Sequence, residues 1–123
     1  MARVYRQLPV YEDTGAVRAL LEQGSRQELL TLPLAAAQSP LDAEFVQDLC
    51  LQLAASGDAE VRANACLGLA YIARIAGRLD RARVEPVLLH ELREQVEFRW
   101  RIEDAIEDIE LYLDWAINRE PAN

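Results

Sequence analysis

Apolar residues recur at intervals of three and four along almost all of this chain, and short breaks carrying Gly, Ser or Asp cut the pattern into segments of helical length. That spacing follows the helical turn of about 3.6 residues and not the two-residue pleat of a strand. It predicts an all-α fold of about six helices joined by short loops, arranged as antiparallel hairpins. Asp13 and Thr14 are placed to cap a first helix that carries Val17, Leu20 and Leu21 and ends at Gly24. Ser25 opens a second helix with Glu28 three residues on, a capping box, and Pro33 is expected to kink it. Ser39-Pro40 reads as cap then proline at the head of a third helix, which holds Phe45, Val46, Leu49, Cys50 and Leu53 and stops at Ser56-Gly57. Asp58 caps the fourth, whose Val61, Ala65, Leu69, Ile72 and Ile75 form one face as far as Gly77. A fifth runs from about Val84 to Gln95 with Val87, Leu88, Leu89 and Leu92. Residues 1–12 contain Pro9 and alternate weakly, so an extended lead-in or a short strand is expected there.

The last helix, expected over Glu97 to Asn118, is the most informative. Phe98, Ile102, Ala105, Ile106, Ile109, Tyr112, Leu113, Ala116 and Ile117 share one side and form its core face. The other side carries Glu103, Asp104, Glu107, Asp108, Glu110 and Asp114, with Trp100, Leu111 and Trp115 among them. Glu103, Glu107, Glu110 and Asp114 stand one turn apart with no intervening cation, and each such like-charge pair costs a few tenths of a kcal/mol. An uncompensated acidic ridge set with tryptophans has the character of a binding hot spot for a cationic partner. A covering helix or a homodimer mate over the tryptophans explains them equally well.

At 123 residues and 51% hydrophobic content the chain is expected to form one domain, residues 1–123, with a core that needs no disulfide or metal. The net charge is −8, and from residue 102 to the end seven acids face one base, Arg119. Acidity gathered on one element argues against nucleic acid, whose phosphates are bound by Lys and Arg, and for a cationic protein. Cys50 and Cys66 lie inside predicted helices with no neighbouring His, so they are read as small buried hydrophobes in a reducing compartment. No signal-peptide pattern and no run of about 18 apolar residues is seen, and a cytoplasmic protein with no membrane contact is expected.

An offset of 37 superimposes the fourth helix on the sixth, pairing Val61 with Phe98, Ala65 with Ile102, Leu69 with Ile106 and Ile72 with Ile109. An offset near 32 brings the second helix onto the fourth, with Glu28 on Glu60 and Leu29 on Val61. Periods of this size belong to solenoids built of helix pairs. GDAEVRANACLGLAYIA, residues 57–73, with its Asp-x-x-Val-Arg opening and Leu-Gly, resembles the second helix of a HEAT repeat. EFRWRIEDAIEDI, residues 97–109, is similar but diverged, with Phe for Val and acids where alanines are usual. The resemblance implies a HEAT-like α-solenoid of three units, roughly 13–38, 39–77 and 78–118.

A narrower resemblance covers residues 61–113, VRANACLGLAYIARIAGRLDRARVEPVLLHELRE and the acidic helix after it. It is similar to small bacterial HEAT-type immunity proteins of contact-dependent inhibition and polymorphic toxin systems. What this implies is one-to-one binding of a cognate toxin domain, usually a basic nuclease, by occlusion. Contact residues would be Trp100, Glu103, Asp104, Glu107, Asp108, Leu111 and Trp115 on the last helix. Asn64 and Tyr71, on the exposed side of the fourth, would share that surface or else pack against a neighbouring helix. A scaffold, adaptor or self-assembling module is the alternative, with a homodimer not excluded.

Enzymatic patterns are lacking. His90 is the single histidine, so neither a two-His metal site nor a triad with a second His is available. There is no repeated Glu-x-x-His pair for a di-metal bundle, no Gly-rich phosphate loop and no nucleophile elbow. No cofactor or metal is expected. Arg74, Arg78, Arg81 and Arg83 follow the fourth helix, where they complement its dipole and can pair with acids of the sixth, with contact to phosphate or an acidic partner as the alternative.

Overall fold

A computed structural model describes residues 8–119 of the chain. Six helices follow one another, α1 (Thr14–Gln23), α2 (Arg26–Ala37), α3 (Ala43–Leu53), α4 (Ala59–Ala76), α5 (Arg81–Glu94) and α6 (Arg99–Leu113). The fold is all-α, with no strand among the described residues. Residues 8–12 are irregular, and the remainder of the expected lead-in lies outside the described residues.

Local chemistry sets most of the helix ends. Asp13 accepts from the Gly15 N–H at 2.9 Å at the head of α1. Ser25 and Glu28 form the capping box of α2, and Asp58 accepts from the Glu60 and Val61 N–H groups at the head of α4. Gly77 closes α4 in the left-handed region, φ 72°, where a side chain would be strained.

Three ends differ from the sequence reading. The Ser39-Pro40 pair does not start α3; that helix begins three residues later, capped by Asp42, which accepts from the Phe45 N–H. Ser39 instead donates to the Ala35 carbonyl at 2.7 Å and accepts from the Tyr11 N–H at 2.9 Å, tying the lead-in to the end of α2. Helix α5 starts at Arg81, ahead of Val84. Helix α6 stops at Leu113 instead of reaching Asn118, because Asp114 turns left-handed, φ 56°. Asp tolerates that conformation better than most residues. The reversal delivers Ile117 to the core, and Glu110 receives its N–H at 2.9 Å.

Helix α4 is the centre of the molecule. It packs between α2 and α6 and against α3, while α1, α3 and α5 pack on α2, α4 and α6 respectively. A helix so surrounded must be apolar nearly all round, and Val61, Ala63, Ala65, Cys66, Leu69, Ala70, Ile72 and Ala73 are all buried. Its small residues let neighbours come close. A Cβ at Gly68 would lie 2.8 Å from Cys50 Sγ and 3.0 Å from the Pro33 carbonyl oxygen, so this glycine is where α2, α3 and α4 approach one another. Both cysteines are buried and free, and burial pushes the Cys50 thiol up to about 12 and the Cys66 thiol upward as well.

Helices α2, α4 and α6 lie side by side with their amino-terminal turns at one end. Contacts between α2 and α4 join residues 32 and 34 apart, and those between α4 and α6 join residues 37 and 41 apart. No described helix is long and apolar enough to cross a membrane.

Candidate functional site

The surface shared by α2, α4 and α6 has two halves of different chemistry. At its amino-terminal end the polar groups are consumed by one another. Asp58, already capping α4, also accepts from Arg26 Nε at 2.6 Å, and the guanidinium holds its carboxyl below the usual carboxylate range. Glu60 accepts from Arg26 at 2.9 Å and from Arg101 at 3.2 Å. Arg101 donates from its other nitrogen to Asn64 Oδ1 at 2.8 Å, and Asn64 Nδ2 donates to the Leu30 carbonyl at 2.8 Å. The Arg101 guanidinium also lies over the Phe98 and Trp100 rings, at 4.7 and 5.2 Å. Asn64, expected as a contact residue, is therefore buried and ties three helices together.

The other half is open. Leu34 of α2, Leu67, Ala70, Tyr71 and Arg74 of α4, and Asp108 and Tyr112 of α6 line a groove of about 170 Å³. Tyr71 and Asp108, two expected contact residues 37 positions apart, are brought together here. Tyr71, Arg74, Asp108 and Tyr112 make no hydrogen bond or ion pair among the described residues. Tyr112 departs from the core face assigned to it. It is 44% exposed, in the last turn of α6.

The outer face of α6 carries Trp100, Asp104, Glu107 and Leu111 at spacings of four, three and four, a single stripe. Trp100 is 56% and Leu111 73% exposed, so no other helix covers this stripe. Asp104, Glu107 and Asp108 have no cationic partner among the described residues, whereas Glu103 pairs with Arg99 at 3.2 Å. Three residues leave the expected ridge, the first being Asp114, which lies beyond the end of α6 in the left-handed region. Glu110 turns to the Ile117 N–H and to Arg119, which together hold its carboxyl below the usual range. Trp115 lies beyond the helix, half-buried under the Arg81 guanidinium at 5.0 Å.

The arginines after α4 do not pair with acids of α6. Arg81 bonds Glu85 and the Ala116 carbonyl, and Arg83 bonds Asp48 of α3. A cluster missed by sequence reading lies on the opposite side of α4. Arg62 bonds the buried Glu91 at 3.0 Å, and Gln95 donates to Glu91 and to the Ala59 carbonyl, fastening α5 to α4. Only the four-residue spacing of Glu91 and Gln95 hinted at it. His90 is exposed beside this pair, with Nε2 3.9 Å from Glu91. No group of three or more metal-ligating side chains assembles among the described residues.

Compared with family models, with curated proteins and with solved structures, the chain matches none.

Proposed function

We propose that this protein acts by binding one cationic protein domain, and that it is an immunity protein which occludes a basic toxin domain, such as a nuclease, in the cytoplasm. One observation carries the reading: the stripe Trp100, Asp104, Glu107 and Leu111 is exposed, and among the described residues its carboxylates lack the arginine partners that Asp58, Glu60, Glu91 and Glu110 each have. Carboxylates left unpaired beside an exposed tryptophan and leucine suit a surface where charge steers encounter and apolar anchors are desolvated on binding. The side-by-side setting of α2, α4 and α6 at steady sequence offsets is what a HEAT-like stack requires, and supports that reading of the architecture.

The test is co-expression with the toxin domain encoded immediately upstream, co-purification, and titration with salt. A one-to-one complex that weakens with ionic strength and is lost in the Asp104→Arg, Glu107→Arg double variant supports the proposal. Survival of cells with no effect of the variant keeps the function and moves the site. The exposed Trp100 and Leu111 also suit a second reading, a self-assembling module with this stripe at a twofold interface. A monomeric mass at equilibrium contradicts it.

A further inference from the structure

The groove between α4 and α6 differs from the acidic stripe beside it, because it has an apolar floor, two aromatic walls and one carboxylate. We infer that it seats a single arginine side chain of the partner, an inference that rests on the cationic-partner reading above.

Size comes first. Pockets for whole small molecules run from roughly 300 to 1,000 Å³, and about 170 Å³ is the space for one side chain. Leu34, Leu67 and Ala70 offer a surface for a methylene stem, which long cationic side chains bury readily. Tyr71 and Tyr112 provide aromatic rings of the kind on which a guanidinium stacks. Asp108 offers a carboxylate with no partner among the described residues, able to accept two parallel N–H donors.

Arg74 also lines the groove, so both signs of charge are present at its rim. Asp104 lies one turn before Asp108 on α6 and Glu107 beside it, both exposed and without a cationic partner among the described residues, so the surrounding field is negative. Arg74 is exposed and makes no ion pair with Asp108. Against the single Arg74, a cation entering the groove finds Asp108 in its wall with Asp104 and Glu107 on the same helix, and the same three carboxylates repel an anion. Arginine is favoured over lysine because a planar group can stack and bond in bidentate fashion at once, which an ammonium cannot.

The experiment titrates the isotopically labelled full chain, at low salt, with three capped tripeptides, Gly-Arg-Gly, Gly-Lys-Gly and Gly-Glu-Gly, and follows backbone amide shifts. The arginine peptide is expected to give saturable shifts at Leu67–Arg74 as well as at Asp108–Tyr112, with weaker binding of the lysine peptide. Asp108→Asn and Tyr112→Leu should each weaken the arginine peptide by roughly three- to tenfold. If the glutamate peptide moves the same amides and Arg74→Ala abolishes the effect, the groove takes an anion and the inference is wrong. Arginine-induced shifts confined to Glu103, Asp104 and Glu107 overturn the groove while leaving the acidic-face reading standing. If no cationic peptide shifts any α6 amide, both fall.

Discussion

Arg101 and Asn64, 37 residues apart, meet at 2.8 Å, and their hydrogen bond is the middle link of a chain that runs from the Leu30 carbonyl on α2 to Glu60 on α4. The Asn64 amide suits this place because it donates in one direction and accepts from the other. Asn64 thus links α2, α4 and α6, beside the pairs that Arg26 makes with Asp58 and Glu60 and that Arg101 makes with Glu60.

Asn64→Ala should therefore destabilise the fold by about 1–3 kcal/mol, the cost of leaving buried polar groups without partners. Asn64→Asp is the sharper variant. It keeps an acceptor for Arg101 but turns a carboxylate oxygen toward the Leu30 carbonyl, so the stronger ion pair does not rescue it. Urea unfolding at neutral pH measures both, and an Asn64→Asp protein as stable as wild type would show that the Leu30 contact contributes nothing.

Gly68 makes a second, independent prediction. A methyl group there would stand 2.8 Å from Cys50 Sγ and 3.0 Å from the Pro33 oxygen, and the second of these is backbone that cannot swing away. Gly68→Ala should cost about 1–3 kcal/mol through overpacking. Cys50→Ala in the same chain should restore part of the loss but not all of it. A double-mutant cycle by denaturant unfolding gives the coupling; strict additivity would mean that α4 shifts as a whole and the sulfur is not the obstacle.

These contacts mark the boundary of what the sequence makes legible. The capping box of Ser25 and Glu28, the Asp58 cap and Gly77 act within a turn or two, so local pattern places α2 and α4 correctly. Ser39 looks like a cap by the same rule, yet its hydroxyl is claimed by Ala35 and by Tyr11, which is 28 residues away. Ala116 and Ile117 continue a helical spacing. The chain instead leaves α6 at the left-handed Asp114, and the Glu110 carboxylate holds the returning Ile117 N–H and Arg119, which no periodicity shows. Of the site, the helical wheel sets Trp100, Asp104, Glu107 and Leu111 apart from the core face but leaves open whether another helix covers Trp100, which only its 56% exposure answers within the chain. The network role of Asn64 does not, since its partners lie 34 and 37 residues away.

Two carboxylates give the stability an acid limb. Asp58 is held below its ordinary value mainly by the Arg26 hydrogen bond, and Glu110 mainly by the Ile117 N–H and then by Arg119, with burial opposing in both cases. A folded-state value below the unfolded one, which is about 4 for these groups, means that the unfolded chain binds protons first. Their contribution is complete above that pH and is lost as the pH falls through the lowered values. Arg26→Ala and Glu110→Gln should each flatten the fall in unfolding midpoint between about pH 5 and about pH 2. Curves that run parallel to wild type across this range would remove these two groups from the account.

The last prediction separates the acidic stripe from the structural acids. Glu107 stands one turn after Glu103, a like-charge pair, and has no cationic partner among the described residues. Glu107→Arg replaces that repulsion with an acid-then-base pair at four residues, the favourable orientation, and should raise stability by about 0.2–0.5 kcal/mol. Glu60→Arg makes the same change of charge with the opposite outcome. It sets a third cation between Arg26 and Arg101 and removes the acceptor both use, so it should cost on the order of 1–3 kcal/mol. Thermal and urea unfolding of the two variants side by side decide the matter. A residue whose reversal stabilises the free protein is not held by the fold, so any binding lost with it belongs to the partner. A loss above about 1 kcal/mol at Glu107 would instead reveal an intramolecular role and withdraw it from the stripe.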